Sequence, residues 1–157
     1  MSDCPMTTLG KKMLEDELAT LIRVDREGIK QAISEARDLG DLKENAEYHA
    51  AKEKQSHIEG RIMDVQSKLA RAKVIDVASM KADKIVFGAT VTILDQQKDI
   101  EITYQLVGED EAMSDPAKIS FNSPLGRALI GKESGDEAIV KAPKGDLVYE
   151  VIGFKYN

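Results

Sequence analysis

From Pro5 to Pro116 the chain has no proline, and residues 8 to 75 are mainly Ala, Leu, Glu, Lys, Arg and Gln. These side chains lose little freedom in a helix, and without proline nothing removes a backbone donor or forces a kink. The stretch therefore predicts long helix. Ile22, Ile29 and Ala36 repeat every seven residues with Leu18 and Ile33 between them, and Ile58, Ile62, Val65, Leu69 and Ala72 step by 4, 3, 4, 3. Each arm thus carries one apolar stripe that has to be buried. The break at Leu39-Gly40-Asp41 offers a glycine for a left-handed C-cap and an acidic N-cap candidate, so the two arms are expected to fold back as an antiparallel coiled-coil hairpin. At about 1.5 Å per residue, arms of about 30 residues extend about 45 Å and carry the tip away from the base. Ala46, Ala50 and Ala51 give only a thin seam near that tip.

The second half is written differently. Six of the seven aromatics and three of the four prolines lie beyond Ala78, so two domains are expected, 1–78 and 79–157, joined through Asp76 to Asp83. From Lys84 onward apolar residues alternate with period two: Ile85 to Phe87, Ala89 to Leu94, Ile100 to Val107, Ala138 to Lys141 and Leu147 to Phe154. These read as strands. The polar runs Asp95 to Asp99 and Pro143 to Asp146 turn two antiparallel hairpins. Ser123 as N-cap, Pro124 at the first position and Gly131 past the end mark one short helix. The fold class is α+β, a helical hairpin followed by a small antiparallel sheet with one helix.

Charge limits the function. The net charge is -6, shared as -2 over residues 1–78 and -4 over 79–157. Neither half is a surface that grips nucleic acid by neutralising phosphates. Cys4 is the only cysteine, which excludes an intrachain disulfide and a Cys-rich zinc site. The N-terminal residues lack a signal-peptide pattern, and no apolar run approaches the roughly 18 residues a membrane span needs. The expectation is a soluble, cytoplasmic protein.

Acids gather where the hairpin reverses, near residues 38–46. Asp41-x-x-Glu44 matches a capping box, in which both carboxylates sit at the positive end of the second helix, and on pattern alone that reading leads. The alternative is a metal site. Two carboxylates bind Mg²⁺ poorly by themselves, because the ion wants near-octahedral oxygen ligands, so a partner would have to supply the rest.

The stretch Ala36 to Glu53 closely resembles the tip of bacterial transcript cleavage factors of the Gre family, on the GreA rather than the GreB branch because Lys43 precedes Glu44. The likeness continues in order through Glu59-Gly60-Arg61-Ile62, Val74-Ile75-Asp76, Phe87-Gly88-Ala89-Thr90-Val91, Asn122-Ser123-Pro124 and Leu129-Ile130-Gly131-Lys132, nearly the whole chain. The resemblance implies a hairpin that enters the secondary channel of bacterial RNA polymerase and an FKBP-like globular domain that docks on the channel rim. It implies a monomeric cofactor protein, not itself the nuclease. Asp41 and Glu44 would complete a Mg²⁺ site held jointly with the polymerase, with no metal on the isolated protein. The substrate would be the 3′ end of backtracked RNA, cut so that arrested complexes resume. Arg37 and Lys52 would form a small basic spot near that RNA, or serve only as solubilising charges. The loop from Ser120 to Pro124, with Ser123 and Pro124 at its centre, would contact the polymerase. A non-catalytic module that blocks or braces the channel is the competing reading, and the tip acids separate the two, since a plug needs no such pair.

Three other patterns carry less. His49, Glu53 and His57 share a helix face, but three successive turns span about 12 Å and cannot meet at one ion. Gly126 to Lys132 scans as G-x-x-x-x-G-K, yet Glu133 stands where a phosphate loop needs Ser or Thr. A prolyl isomerase pocket wants an aromatic lining, and the chain has no Trp and three Phe, so no isomerase activity is expected. Tyr48, the only aromatic of the first half, is read either as stacking on a base or as packing under the tip turn.

Overall fold

A computed structural model describes residues 3–40 and 44–157. Two compact units result, one of residues 12–71 and the other of residues 3–11 together with 72–157. The second unit takes residues from both sides of the helical stretch because of a strand pair that the helix-forming composition conceals. Strand β1 (Cys4–Thr7) pairs in parallel with β2 (Ala72–Ile75), Cys4 opposite Ala72 and Thr7 opposite Ile75. Parallel neighbours need a long crossover. Here the crossover is the whole helical unit, which leaves the second unit after Lys11 and returns at Ala72.

The helical unit is built from α1 (Thr8–Thr20) from Lys12 onward, a π-helical turn (Leu21–Asp25), α2 (Arg26–Arg37) and α3 (Ala46–Ala70). Buried Leu21, Ile29, Ile33 and Ala36 on one arm and Ile58, Ile62 and Val65 on the other form the seam. Ile22, expected in the stripe, is only half-buried, and Leu21 takes its place. Leu21 to Ile29 is a step of eight rather than seven, and the wider π turn between them absorbs the extra residue. Paired carboxylates and guanidinium groups fix the antiparallel register. Arg26 donates to Glu59 from Nε at 2.9 Å and Nη2 at 2.8 Å, and Arg61 to Glu17 from Nε at 2.6 Å and Nη2 at 2.7 Å. Ala46 and Ala50 are exposed and Ala51 half-buried, the thin seam expected near the tip.

The second unit contains a five-stranded sheet in the order β5-β4-β3-β7-β6, with β3 (Thr90–Asp95), β4 (Ile100–Val107), β5 (Lys118–Ser120), β6 (Glu137–Val140) and β7 (Leu147–Lys155). The two expected hairpins, β3–β4 and β6–β7, are antiparallel. The sheet as a whole is mixed, however, because β5 runs parallel to β4. A second helix, α4 (Glu109–Met113), makes the crossover between them, and α5 (Pro124–Leu129) is the short helix read from Ser123 and Pro124. Ile85, Val91, Ile93, Leu106, Leu129 and Val151 form the core. Ile85 to Phe87, expected as a strand, is irregular. Instead, the Ile85 N–H donates to the Lys132 carbonyl at 2.9 Å and the Ile85 carbonyl accepts from Gly131 N–H at 2.8 Å, tying this segment to the end of α5.

Candidate functional site at the hairpin tip

Helix α2 runs out at Arg37. The Leu39 N–H returns to the Ala36 carbonyl at 3.1 Å, and Gly40 adopts φ +132°, the positive region in which a Cβ is strained. Helix α3 begins at Ala46, and its N-cap is Asn45, whose side-chain oxygen accepts from the Tyr48 N–H at 3.0 Å. The expected capping box is thereby corrected: Glu44 lies one residue before the cap, exposed, rather than in the first turn of α3. Asp41 lies outside the described residues.

Asn45 also reaches the other arm, its Nδ2 donating to the buried Ala36 carbonyl. One planar amide therefore serves both helix ends, accepting from the start of α3 and donating to the end of α2. Beside it, Tyr48 is half-buried with the Arg37 guanidinium 5.8 Å from its ring centre and the His49 ring 5.7 Å away at 59°. Such a cation over a ring face is favourable, and Tyr48 packs at the tip in this arrangement. Arg37 and Lys52 take different partners: the Lys52 ammonium donates to Gln55 on its own helix at 3.2 Å. Both remain exposed.

A carboxylate oxygen such as that of Glu44 is a ligand that Mg²⁺ accepts, yet among the described residues no three His, Cys, Asp or Glu side chains gather as a metal site. Further along, Glu53 and His57 face each other at 3.8 Å, both highly exposed.

In the second unit, Ser123 caps α5. Its hydroxyl accepts from Gly126 N–H at 3.0 Å and donates to the Ser120 carbonyl at 2.7 Å, while Pro124 fills the first helical position and is exposed. Gly126 is buried where an added Cβ would stand 2.3 Å from the Ser120 carbonyl oxygen, so its glycine serves close packing and not a phosphate.

Sequence reasoning missed Asn45 and a buried polar cluster. Asn directly before a helical run is a cap signal, but Asp41-x-x-Glu44 fits the same rule and masked it. The cluster joins elements distant in sequence: Glu111 is 4% exposed, accepts from the Thr7 hydroxyl, and meets the Lys118 ammonium at 2.8 Å. No local pattern announces that pairing.

Comparison with known proteins is consistent along the whole chain. The family described as "Transcription elongation factor, N-terminal" matches residues 4–74, and "Transcription elongation factor, GreA/GreB, C-term" matches residues 80–156. Transcription elongation factor GreA of Hyphomonas neptunium is 58% identical over 157 residues, and that of Halorhodospira halophila 54% over 158, each covering 100% of both chains. The crystal structure of GreA factor homolog 1 (Gfh1) of Thermus thermophilus is 27% identical over 97% of this chain and 98% of that one, with a TM-score of 0.45.

Proposed function

The chain belongs to the GreA/GreB family of transcription elongation factors, and from that premise we propose that it binds RNA polymerase and stimulates cleavage of backtracked RNA at the polymerase's own active centre. The observation that carries the reading is the position of Glu44. Since Asn45 caps α3, the Glu44 carboxylate precedes the helix, exposed, and is not consumed as its cap.

The roles divide by unit. Helix α3 has 25 residues and at about 1.5 Å each is about 37 Å long, a reach suited to a narrow secondary channel. The loop from Ser120 to Pro124, held by the Ser123 cap, presents exposed Pro124 and Asn122 to the channel rim. At the tip, Asp41 and Glu44 supply carboxylate oxygens, and Arg37 with Lys52 supply positive charge toward the extruded RNA backbone. Asp41 and Glu44, together with polymerase ligands, would hold a Mg²⁺ ion, which would supply Lewis acidity for the attack of water on the RNA phosphate. The chain's own contribution is to bring two anionic ligands to that place and hold them. It acts as a cofactor of the polymerase rather than as a free-standing nuclease, in the cytoplasm and as a monomer; among the described residues no helix is long and apolar enough to cross a membrane.

Arrested elongation complexes carrying 3′-end-labelled backtracked RNA test this directly. Adding the protein with Mg²⁺ releases short labelled 3′ fragments, and the shortened transcript resumes on addition of nucleotides. Inhibition of elongation without fragment release would instead mark a channel-blocking module.

A further inference from the structure

We infer that Asn45 is a positioning residue for the Glu44 carboxylate, acting by clamping the backbone next to Glu44 to the end of the opposite arm. The inference rests on the cleavage function proposed above. Glu44 directly precedes Asn45 in the chain, and the Asn45 Nδ2 bond to the Ala36 carbonyl ties that point to the end of α2. The other half of the amide is fixed as well, because its oxygen accepts from Tyr48 N–H at 3.0 Å. A carbonyl can only accept and an amide N–H can only donate, so the two bonds require both halves of an Asn side chain in one orientation.

The residue type is informative. Asp, Ser and Thr cap helices about as well as Asn. None offers an amide N–H, and a carboxylate at residue 45 would face the Ala36 carbonyl with no proton to share. What Asn adds over an ordinary cap is therefore the bond across the arms. Ala36 anchors it from a 4% exposed position in the seam. Fixing both halves of the Asn45 amide restricts the backbone beside Glu44 before it meets any partner, which lowers the ordering cost of placing Glu44 at the reaction centre. Displacement of a reacting group by about 1 Å can cost about 10²-fold in rate.

The test uses the full chain with RNA polymerase on backtracked complexes, comparing the wild type with Asn45→Asp, Asn45→Ser and Glu44→Ala. Asn45→Asp and Asn45→Ser keep a capping oxygen and lose the cross-arm donor; the pair also separates the effect of the added charge. The expected result is at most a small drop in melting temperature, since the Ala36 carbonyl keeps the Leu39 N–H, and an unchanged half-saturating concentration of factor for both. The saturating cleavage rate drops about ten-fold or more and the Mg²⁺ concentration needed for half-maximal rate rises. A cap that merely stabilised the helix would leave the last two untouched. Wild-type saturating rates in both Asn45 variants, with Glu44→Ala inactive, would overturn the clamp alone. Normal cleavage by Glu44→Ala would overturn the tip reading and the clamp with it.

Discussion

Arg26 and Glu59 meet across the two arms as a two-pronged pair, Nε to Oε2 at 2.9 Å and Nη2 to Oε1 at 2.8 Å. The guanidinium bond, then its charge, holds the Glu59 carboxyl below the usual glutamate value, and burial opposes only in part. A carboxyl with a lowered folded value contributes fully above its ordinary value of about 4.3 and loses that contribution as pH falls through the lowered one. Glu59→Gln is accordingly expected to melt earlier than wild type at neutral pH, followed by helical ellipticity, with the gap closing in acid. A gap of equal size at both ends of the titration contradicts the assignment.

Gly126 has no room for a side chain. A Cβ there would stand 2.3 Å from the Ser120 carbonyl oxygen and 2.9 Å from that of Phe121, both backbone atoms. Gly126→Ala is expected to cost about 1–3 kcal/mol in denaturant unfolding and, by pushing Ser120 away, to weaken polymerase binding. Unfolding at the wild-type midpoint would show that the loop yields freely.

Tyr156 closes the C-terminus. Its hydroxyl accepts from Val86 N–H at 3.1 Å and donates to the Lys84 carbonyl at 2.9 Å, and burial raises its pKa, partly offset by the bond from Val86. Tyr156→Phe leaves both backbone groups without this partner and is expected to lower stability by about 1–3 kcal/mol, measured by the shift in urea midpoint. No shift would mean that water replaces the hydroxyl at no cost.

Lys118 compensates a buried carboxylate. Its side chain is 15% exposed and that of Glu111 3%, with 2.8 Å between charges. Lys118→Met is expected to destabilise by about 3–5 kcal/mol because Glu111 is then left buried beside only the Thr7 hydroxyl, whereas adding Glu111→Leu restores much of the loss. Equal stabilities for the single and double variants would contradict the pairing.

How far these features could be read in advance depends on their range along the chain. Ile29, Ile33 and Ala36, and Ile58, Ile62 and Val65, were legible because a helical stripe repeats locally, and alternation exposed Val91, Ile93 and Val151 as core. The β1–β2 pair was not, since Cys4–Thr7 carries Pro5 and Ala72–Ile75 continues a helix-forming run; its pairing spans the entire hairpin. The π turn was hidden because Leu21 and Ile22 are equally apolar, and only packing selects Leu21. Helix α4 reads as a polar loop until Glu111 is seen to turn inward. At the tip, a valid capping pattern at Asp41 and Glu44 competed with the cap that forms, four residues further on. The pull of Ala36 on Asn45 comes from the opposite arm.

The proposed cleavage turns on the acids at the tip, and cleavage by tip variants shows whether they act. Asp41→Ala and Glu44→Ala are added separately at saturating concentration to arrested, backtracked elongation complexes with Mg²⁺, while polymerase binding is measured in parallel. Retained binding is expected, with a loss of 3′ fragment release of about 10²-fold or more, the scale on which losing a transition-state-stabilising group is felt. Fragment release at the wild-type rate by both variants would contradict it.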